Sequence, residues 1–502
     1  MPTRRNLIGV AVGAPLAALA SMKAEGAASQ ADHNTPTAEG LDWSPSPDCF
    51  DSQENRVCFS KGLRHNRDGC TENDLHSGFL EAIRSRNLNA LESLNFFTPL
   101  VDPTAGRQRC RLDTIGNVGQ PWFNNTRMLG DLAELYWASL CRDIPFSNYG
   151  DAALISEAER ELELIDRDRF VHPLFGRGLV RTGNGGIVSQ FLLKGVRISR
   201  DEAPQQFLCP VPARDFLTSF EEWTSCQDGA PPREATSYLP SPRFISNGRA
   251  LAEFVRSDYS YQAFLSAALI IQSWGRNALN PGLASRYTRN TAAFVENGWP
   301  QILALVAQAS QWALEDAWYW KWRVFRRLRP EELSGRVFLA DDGVFKSGVC
   351  GDIASLEGVK RTIQNTGTPL LAQAYPEGAP LHPSFPAGHA QIAGACVTIL
   401  KAFTDPNFLV PAPVLPSDDG TELKSHDVKL SIEGELNKLA WNIAFGRSFA
   451  GIHYRSDNDA GLLFGEEIAL QLLADAARKK DRDARSKVWL RRFNGRWVSA
   501  EV

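Results

Sequence analysis

The sequence predicts an all-α protein, a helical bundle of long elements, and three observations carry that prediction. Apolar residues recur at helical spacing over eight stretches, roughly 72–94, 127–142, 152–164, 259–279, 292–327, 387–403, 430–449 and 459–478. Strand-like alternation is scarce. Proline and glycine cluster between these stretches rather than inside them. Long helices that each bury one apolar stripe pack most simply as a bundle, and a hydrophobic share of 43% in 502 residues is ample for its core.

Taken in order, the chain opens on a targeting segment. Arg4 and Arg5 precede a mildly apolar run to Ala20, and Ala18-Leu19-Ala20 offers small residues for cleavage. This reads residues 1–20 as an export signal with a loose likeness to the twin-arginine type; a plain arginine-bearing tail is the alternative. Residues 21–47, rich in Ala, Ser, Gly, Thr and Pro, read as an unstructured lead-in. Residues 48–502 are expected to form one large helical domain. The stretch 204–242, rich in Pro, Ser and charges, reads as a long surface excursion serving oligomer contacts or a site rim. The C-terminal residues 487–502 read as a docking tail or a solvated end.

Nine cysteines are scattered without a CxxC pair, which argues against a zinc site. In an exported protein, pairs such as Cys49–Cys58 or Cys209–Cys226 are candidate disulfides, whereas Cys141 and Cys396 sit in apolar helical patterns and read as buried thiols. A net charge of -4 gives no reason to expect nucleic acid or an anionic membrane as partner. Any anion site must therefore come from local charge.

Three local clusters supply it, all within 313–460. The first, Lys321 to Arg329, holds five cations in nine residues before Pro330. Eight residues is about two helical turns, so Lys321 and Arg329 are expected on one side of a helix end, a point charge and a forked guanidinium suited to a tetrahedral oxyanion. Compensation of the helix dipole is the plainer alternative. The second is Leu381-His382-Pro383-Ser384-Phe385-Pro386-Ala387-Gly388-His389, a proline-punctuated loop entering a helix. Pro386-Ala387-Gly388 would present free N–H groups to an anion, and Ile392, Ala393, Cys396, Leu400 and Phe403 continue the buried face below His389. The third is Gly446-Arg447 through Asp457. Arg447 extends the apolar stripe of Leu436, Leu439, Ala440 and Ile443, a costly place for a charge without an anion. Asp457 lies four residues beyond His453, where a helical turn would let it orient the imidazole.

In this order the clusters resemble the shared signature of vanadium-dependent haloperoxidases and the phosphatidic acid phosphatase type 2 superfamily. Their wording, His-Pro-Ser-Phe-Pro-Ala-Gly-His above all, is similar to algal and cyanobacterial bromoperoxidases, with weaker likeness at Phe59 to His65 and Val188 to Leu192. The resemblance implies two four-helix bundles, vanadate as cofactor, and hydrogen peroxide, a halide ion and an organic halogen acceptor as partners, in a homo-oligomer. It implies that Lys321, Arg329 and Arg447 neutralise vanadate oxygens, that Gly388 donates its N–H, that His453 is the vanadium ligand with Asp457 behind it, and that His389 is the acid–base group. For the halide, His382 is similar to bromoperoxidases, while Trp318 is similar to chloroperoxidases; the remaining wording favours bromide. One departure stands out: the family carries serine where this chain has Ala387. The resemblance leaves a phosphatase with His453 as nucleophile, or a weakly active oxyanion-binding protein, as the alternatives to a bromoperoxidase.

Overall fold

The computed structural model describes residues 58–66, 69, 71–94, 96, 98–115, 126–166, 186–339, 353–482 and 485–502. Residues 1–20 and 21–47, read above as an export signal and a lead-in, and Cys49, Cys70 and Cys350 lie outside the described residues. Helices dominate: α1 (Asn73–Arg84), α2 (Leu88–Glu92), α3 (Thr126–Cys141), α4 (Ala153–Asp166), α5 (Phe220–Gln227), α6 (Gly248–Ser257), α7 (Gln262–Ser273), α8 (Trp299–Tyr319), α9 (Pro330–Leu339), α10 (Glu357–Thr366), α11 (Gly388–Phe403), α12 (Ile432–Phe449) and α13 (Arg455–Arg478). Three antiparallel hairpins accompany them: β1 (Val196–Ile198) with β2 (Asp201–Ala203), β3 (Val414–Pro416) with β4 (Leu423–Ser425), and β5 (Lys487–Arg491) with β6 (Trp497–Glu501).

At the centre, α11 packs against α8, α12 and α13 as a four-helix bundle, with α6 on the outer side of α12 and α7 against α8 and α11. On the other flank α3 contacts α4, α10 and α12. Nearly every residue of α11 is buried, which is why its sequence is apolar and small all round rather than striped. Its approach to α13 is very close. A Cβ on Gly394 would fall 2.3 Å from the Leu462 carbonyl oxygen, and one on Gly465 would fall 2.0 Å from that of Gln391. Only glycine allows this spacing. It brings the start of α13, which follows His453, beside the start of α11, which carries His389.

Elements outside the bundle core were harder to anticipate. The stretch at 292–327 is not one helix: α8 starts at Trp299, leaving Phe294 and Val295 exposed. The helix then widens into a π-helical turn over Trp320–Phe325 and stops at Arg326, whose φ of 45° is left-handed. Lys321 and Arg329 therefore do not share a helix; Arg329 precedes α9, where Pro330 takes the first position, in which its missing N–H is no loss. The π-turn also sends Trp322 into a satellite core with Phe59 and Phe79, away from Lys321. Of the two readings of the C-terminus, the solvated end is excluded: the β5–β6 hairpin and its turn bury Val488, Leu490 and Phe493 against the body of the protein, and Arg491 and Arg492 pair with Glu433 and Glu466. The 204–242 excursion contains α5, whose Trp223 is buried against α9.

Cys209 and Cys226 are both free thiols, which overturns that candidate disulfide, while Cys141 and Cys396 are buried thiols as expected. Cys58 is disulfide-bonded.

Candidate active site

Four chain segments converge on one buried pocket. The π-turn delivers Lys321, fully buried, whose ammonium donates to the carbonyls of Pro383 (2.7 Å) and Ser384 (2.8 Å). The step into α9 delivers Arg329, whose Nε donates to the His382 carbonyl (2.9 Å) and whose Nη1 donates to the Ile452 carbonyl (3.0 Å). Helix α12 delivers Arg447, which donates from Nη1 to the Val255 carbonyl at 2.9 Å. Helix α12 then ends at Gly451, whose φ of +86° suits glycine alone, and Ile452 N–H returns to the Arg447 carbonyl. That turn places His453 directly beneath the guanidinium of Arg329.

The electrostatics are unusual for a protein interior. Among the described residues, none of Lys321, Arg329 and Arg447 forms an ion pair, and Arg447 Nε is buried with no hydrogen-bond partner. Burial, together with the neighbouring guanidinium of Arg329, holds the Lys321 ammonium well below its usual range; burial and Arg447 bring Arg329 down to about 10. Three buried cations without a counter-ion are strongly unfavourable alone, and a multiply charged anion between them would remove the penalty. An oxyanion such as vanadate fits this donor set.

His453 meets that anion space as a neutral imidazole. Burial first, then Arg329, Lys321 and Arg447, push its pKa well below the ordinary histidine value. Nδ1 lies 2.9 Å from Asp457 Oδ2, and Nε2 lies 2.8 Å from Arg329 Nη1. A guanidinium only donates, so Nε2 carries the lone pair and Nδ1 carries the proton. The Asp457 contact is thus as the spacing predicted, but its origin is not a shared helix: His453 precedes α13, and Asp457 caps its first turn by accepting from Tyr454 N–H at 3.1 Å. Asp457 also accepts from Arg327 (2.7 Å), and the Ser384 hydroxyl hydrogen-bonds to its Oδ2. Neither partner was assigned from the sequence.

At the start of α11, Ala387 is the N-cap and gives no side-chain bond. Its own N–H donates to the Asp457 carbonyl at 3.0 Å, so the anion-facing N–H groups begin at Gly388, not Ala387. A Cβ on Gly388 would meet only the Trp318 ring, at 3.6 Å. That ring tilts against His382 at a centroid distance of 4.8 Å, and Arg329 Nη2 lies 3.0 Å from His382 Nδ1. Trp318 and His382 therefore form one wall, and His382 is kept neutral by burial and by Arg329.

His389 is the partly exposed member, with 28% of its side chain accessible, and its Nε2 lies 3.0 Å from Asp258 Oδ1. Asp258 escaped sequence reasoning. Its signal is faint: an acidic side chain directly after a helix, α6, opposes the helix dipole and so asks for a partner.

Comparisons with known proteins agree with this geometry. Residues 301–481 match the model of the VCPO second helical-bundle domain. The chain is 31% identical to a vanadium-dependent bromoperoxidase of Ascophyllum nodosum, over 83% of this chain and 81% of that one, and 30% identical to one of Corallina officinalis, over 84% and 87%. Its fold matches the homohexameric structure of the second vanadate-dependent bromoperoxidase of Ascophyllum nodosum with a TM-score of 0.76 and 26% identity, covering 89% of this chain and 84% of that one. Identity of this breadth, with the pocket built from all three motifs, places the chain in the vanadium-dependent bromoperoxidase family.

Proposed function

We propose that this chain is a vanadate-dependent haloperoxidase that uses hydrogen peroxide to oxidise bromide. The observation that carries the reading is the trio Lys321, Arg329 and Arg447, buried around the Nε2 lone pair of a neutral His453 without a counter-ion. When bound, vanadate supplies a Lewis-acid centre that makes peroxide oxygen electrophilic towards a halide ion. The protein's part is positional and electrostatic. The three cations and the Gly388 N–H would hold the oxyanion, His453 would offer it the Nε2 lone pair, and Asp457 keeps the imidazole tautomer fixed. His389, at the accessible side and backed by Asp258, is the group that takes up and returns a proton as peroxide enters. Trp318 and His382 line the halide approach. Bromide is favoured over chloride because it is the more easily oxidised of the two, iodide being a second candidate, and the hypohalous acid formed passes to an organic acceptor.

The homohexameric relative supports a homo-oligomer here. A disulfide at Cys58 suits an oxidising compartment, in keeping with the arginine-bearing N-terminus read as an export signal. The decisive test is bromination of a halogen-accepting dye with hydrogen peroxide and bromide, with and without orthovanadate, beside hydrolysis of a chromogenic phosphate ester. Vanadate-stimulated bromination is expected. Ester hydrolysis without it would make the chain a phosphatase acting through His453.

A further inference from the structure

The segment 58–65 lies far from the motifs in sequence, yet it is bolted to the back of the pocket. Ser60 and Lys61 donate their N–H groups to Glu332 Oε1, each at 3.2 Å, and Glu332 Oε2 accepts the Arg329 N–H at 2.9 Å. The Lys61 side chain is fully buried, and its ammonium has three protons and three acceptors: the Glu331 carboxylate, the Glu377 carbonyl (3.0 Å) and the Ala379 carbonyl (2.6 Å). Glu331 closes the loop by accepting the Ala379 N–H at 2.7 Å. The strap itself is held rigidly. The Ser60 hydroxyl bonds His65 Nε2 at 2.9 Å, His65 Nδ1 faces Asp228 at 3.2 Å, and Gly62 N–H donates to the Gln227 carbonyl at 2.7 Å.

Two elements that must keep register meet at Lys61. One is the start of α9, which Arg329 immediately precedes; the other is the 377–382 loop, which ends in His382. Arg329 contacts both His382, through its carbonyl and its ring, and the His453 ring, so a shift at the start of α9 moves every one of these contacts, and a shift of the 377–382 loop moves those to His382. We infer that Lys61 is a positioning residue of the oxyanion pocket, fixing the start of α9 against the 377–382 loop and thereby placing Arg329 between His382 and His453. The inference rests on the haloperoxidase reading. A salt bridge that served folding alone would affect melting and leave anion binding untouched.

The test uses the full chain freed of vanadate and titrated with orthovanadate by calorimetry, a readout independent of turnover. Lys61→Met combined with Glu331→Gln removes both charges together, so no buried ion is left unpaired, and keeps an acceptor for the Ala379 N–H. The double variant is expected to fold and to bind orthovanadate at least tenfold more weakly than the wild type, with a raised KM for bromide. Should it fail to fold, Lys61→Arg, which keeps the charge in a different geometry, decides: at least threefold weaker binding is expected. Binding within twofold of wild type in the folded variant overturns the inference. Absence of orthovanadate binding by the wild-type chain would instead overturn the haloperoxidase reading.

Discussion

His389 Nε2 lies 3.0 Å from Oδ1 of Asp258, a carboxylate only 3% exposed that the end of α6 brings across 131 residues of sequence. The pair has the form of an acid–base histidine with an orienting carboxylate, and it is separate from the His453–Asp457 pair at the floor of the pocket. Asp258→Asn keeps the shape and removes the charge. We expect kcat for bromide oxidation to fall about ten- to hundredfold while orthovanadate affinity changes less than threefold, because Asp258 touches none of the three cations. A matching loss of affinity in a direct titration would make Asp258 part of the anion pocket instead.

How much of this was legible in sequence follows from how local each contact is. Pro386 to His389 and Arg447 to Asp457 are each a single turn and a helix end, so their chemistry could be read off spacing. Lys321 and Arg329 do reach one pocket, although not along a shared helix: spacing cannot reveal a π-turn that breaks the helix at Arg326 and still returns both cations to one point. Asp258, Arg327 and Lys61 were not legible as site residues. Each makes its contact more than one hundred residues away, and nothing in its own segment, the cation cluster around Arg327 included, points to that partner. The Cys209–Cys226 pairing failed for a related reason, since proximity in sequence says nothing about Cβ geometry.

His453→Ala tests the floor of the pocket. It removes the Nε2 lone pair but leaves Lys321, Arg329 and Arg447 in place, so an anion site of lower specificity should persist. Vanadate-dependent bromination is expected to vanish, while weak binding of phosphate or orthovanadate remains detectable by calorimetry. Retained bromination would remove His453 as the ligand.

Ala387 is the N-cap of α11 without a side-chain bond, and it lies beside the anion-facing Gly388 N–H. Ala387→Ser adds a hydroxyl that can accept from an N–H of the first turn and donate to an oxyanion. A charge-assisted hydrogen bond contributes roughly 1.5–3 kcal/mol, so orthovanadate should bind about ten- to hundredfold more tightly. The cap adds about 0.5–2 kcal/mol of stability on its own, visible as a higher melting temperature before any vanadate is added. A rise in melting temperature with unchanged affinity would mean that the hydroxyl caps the helix and never reaches the anion.

His76, on α1 beneath the 58–65 strap, offers a pH test of how that strap is held. Its ring is buried with no partner for Nε2, and burial, reinforced by the guanidinium groups of Arg336 and Arg326, lowers its pKa from 6.5 to about 3. The folded protein therefore refuses a proton that the unfolded chain accepts between these two values. The unfolded state holds more protons in that window, so stability rises with pH, is complete above about 6.5, and is lost as pH falls towards 3, with a slope of at most about 1.4 kcal/mol per pH unit from this group. Carboxylates titrate in the same range, so the informative quantity is a difference. Urea midpoints measured from pH 7 to pH 4 should fall less steeply for His76→Asn, which keeps a donor near the Nδ1 position and does not titrate, than for the wild type. Parallel curves would show that His76 already accepts its proton in the folded state, and that α1 gives way locally before the rest of the chain unfolds.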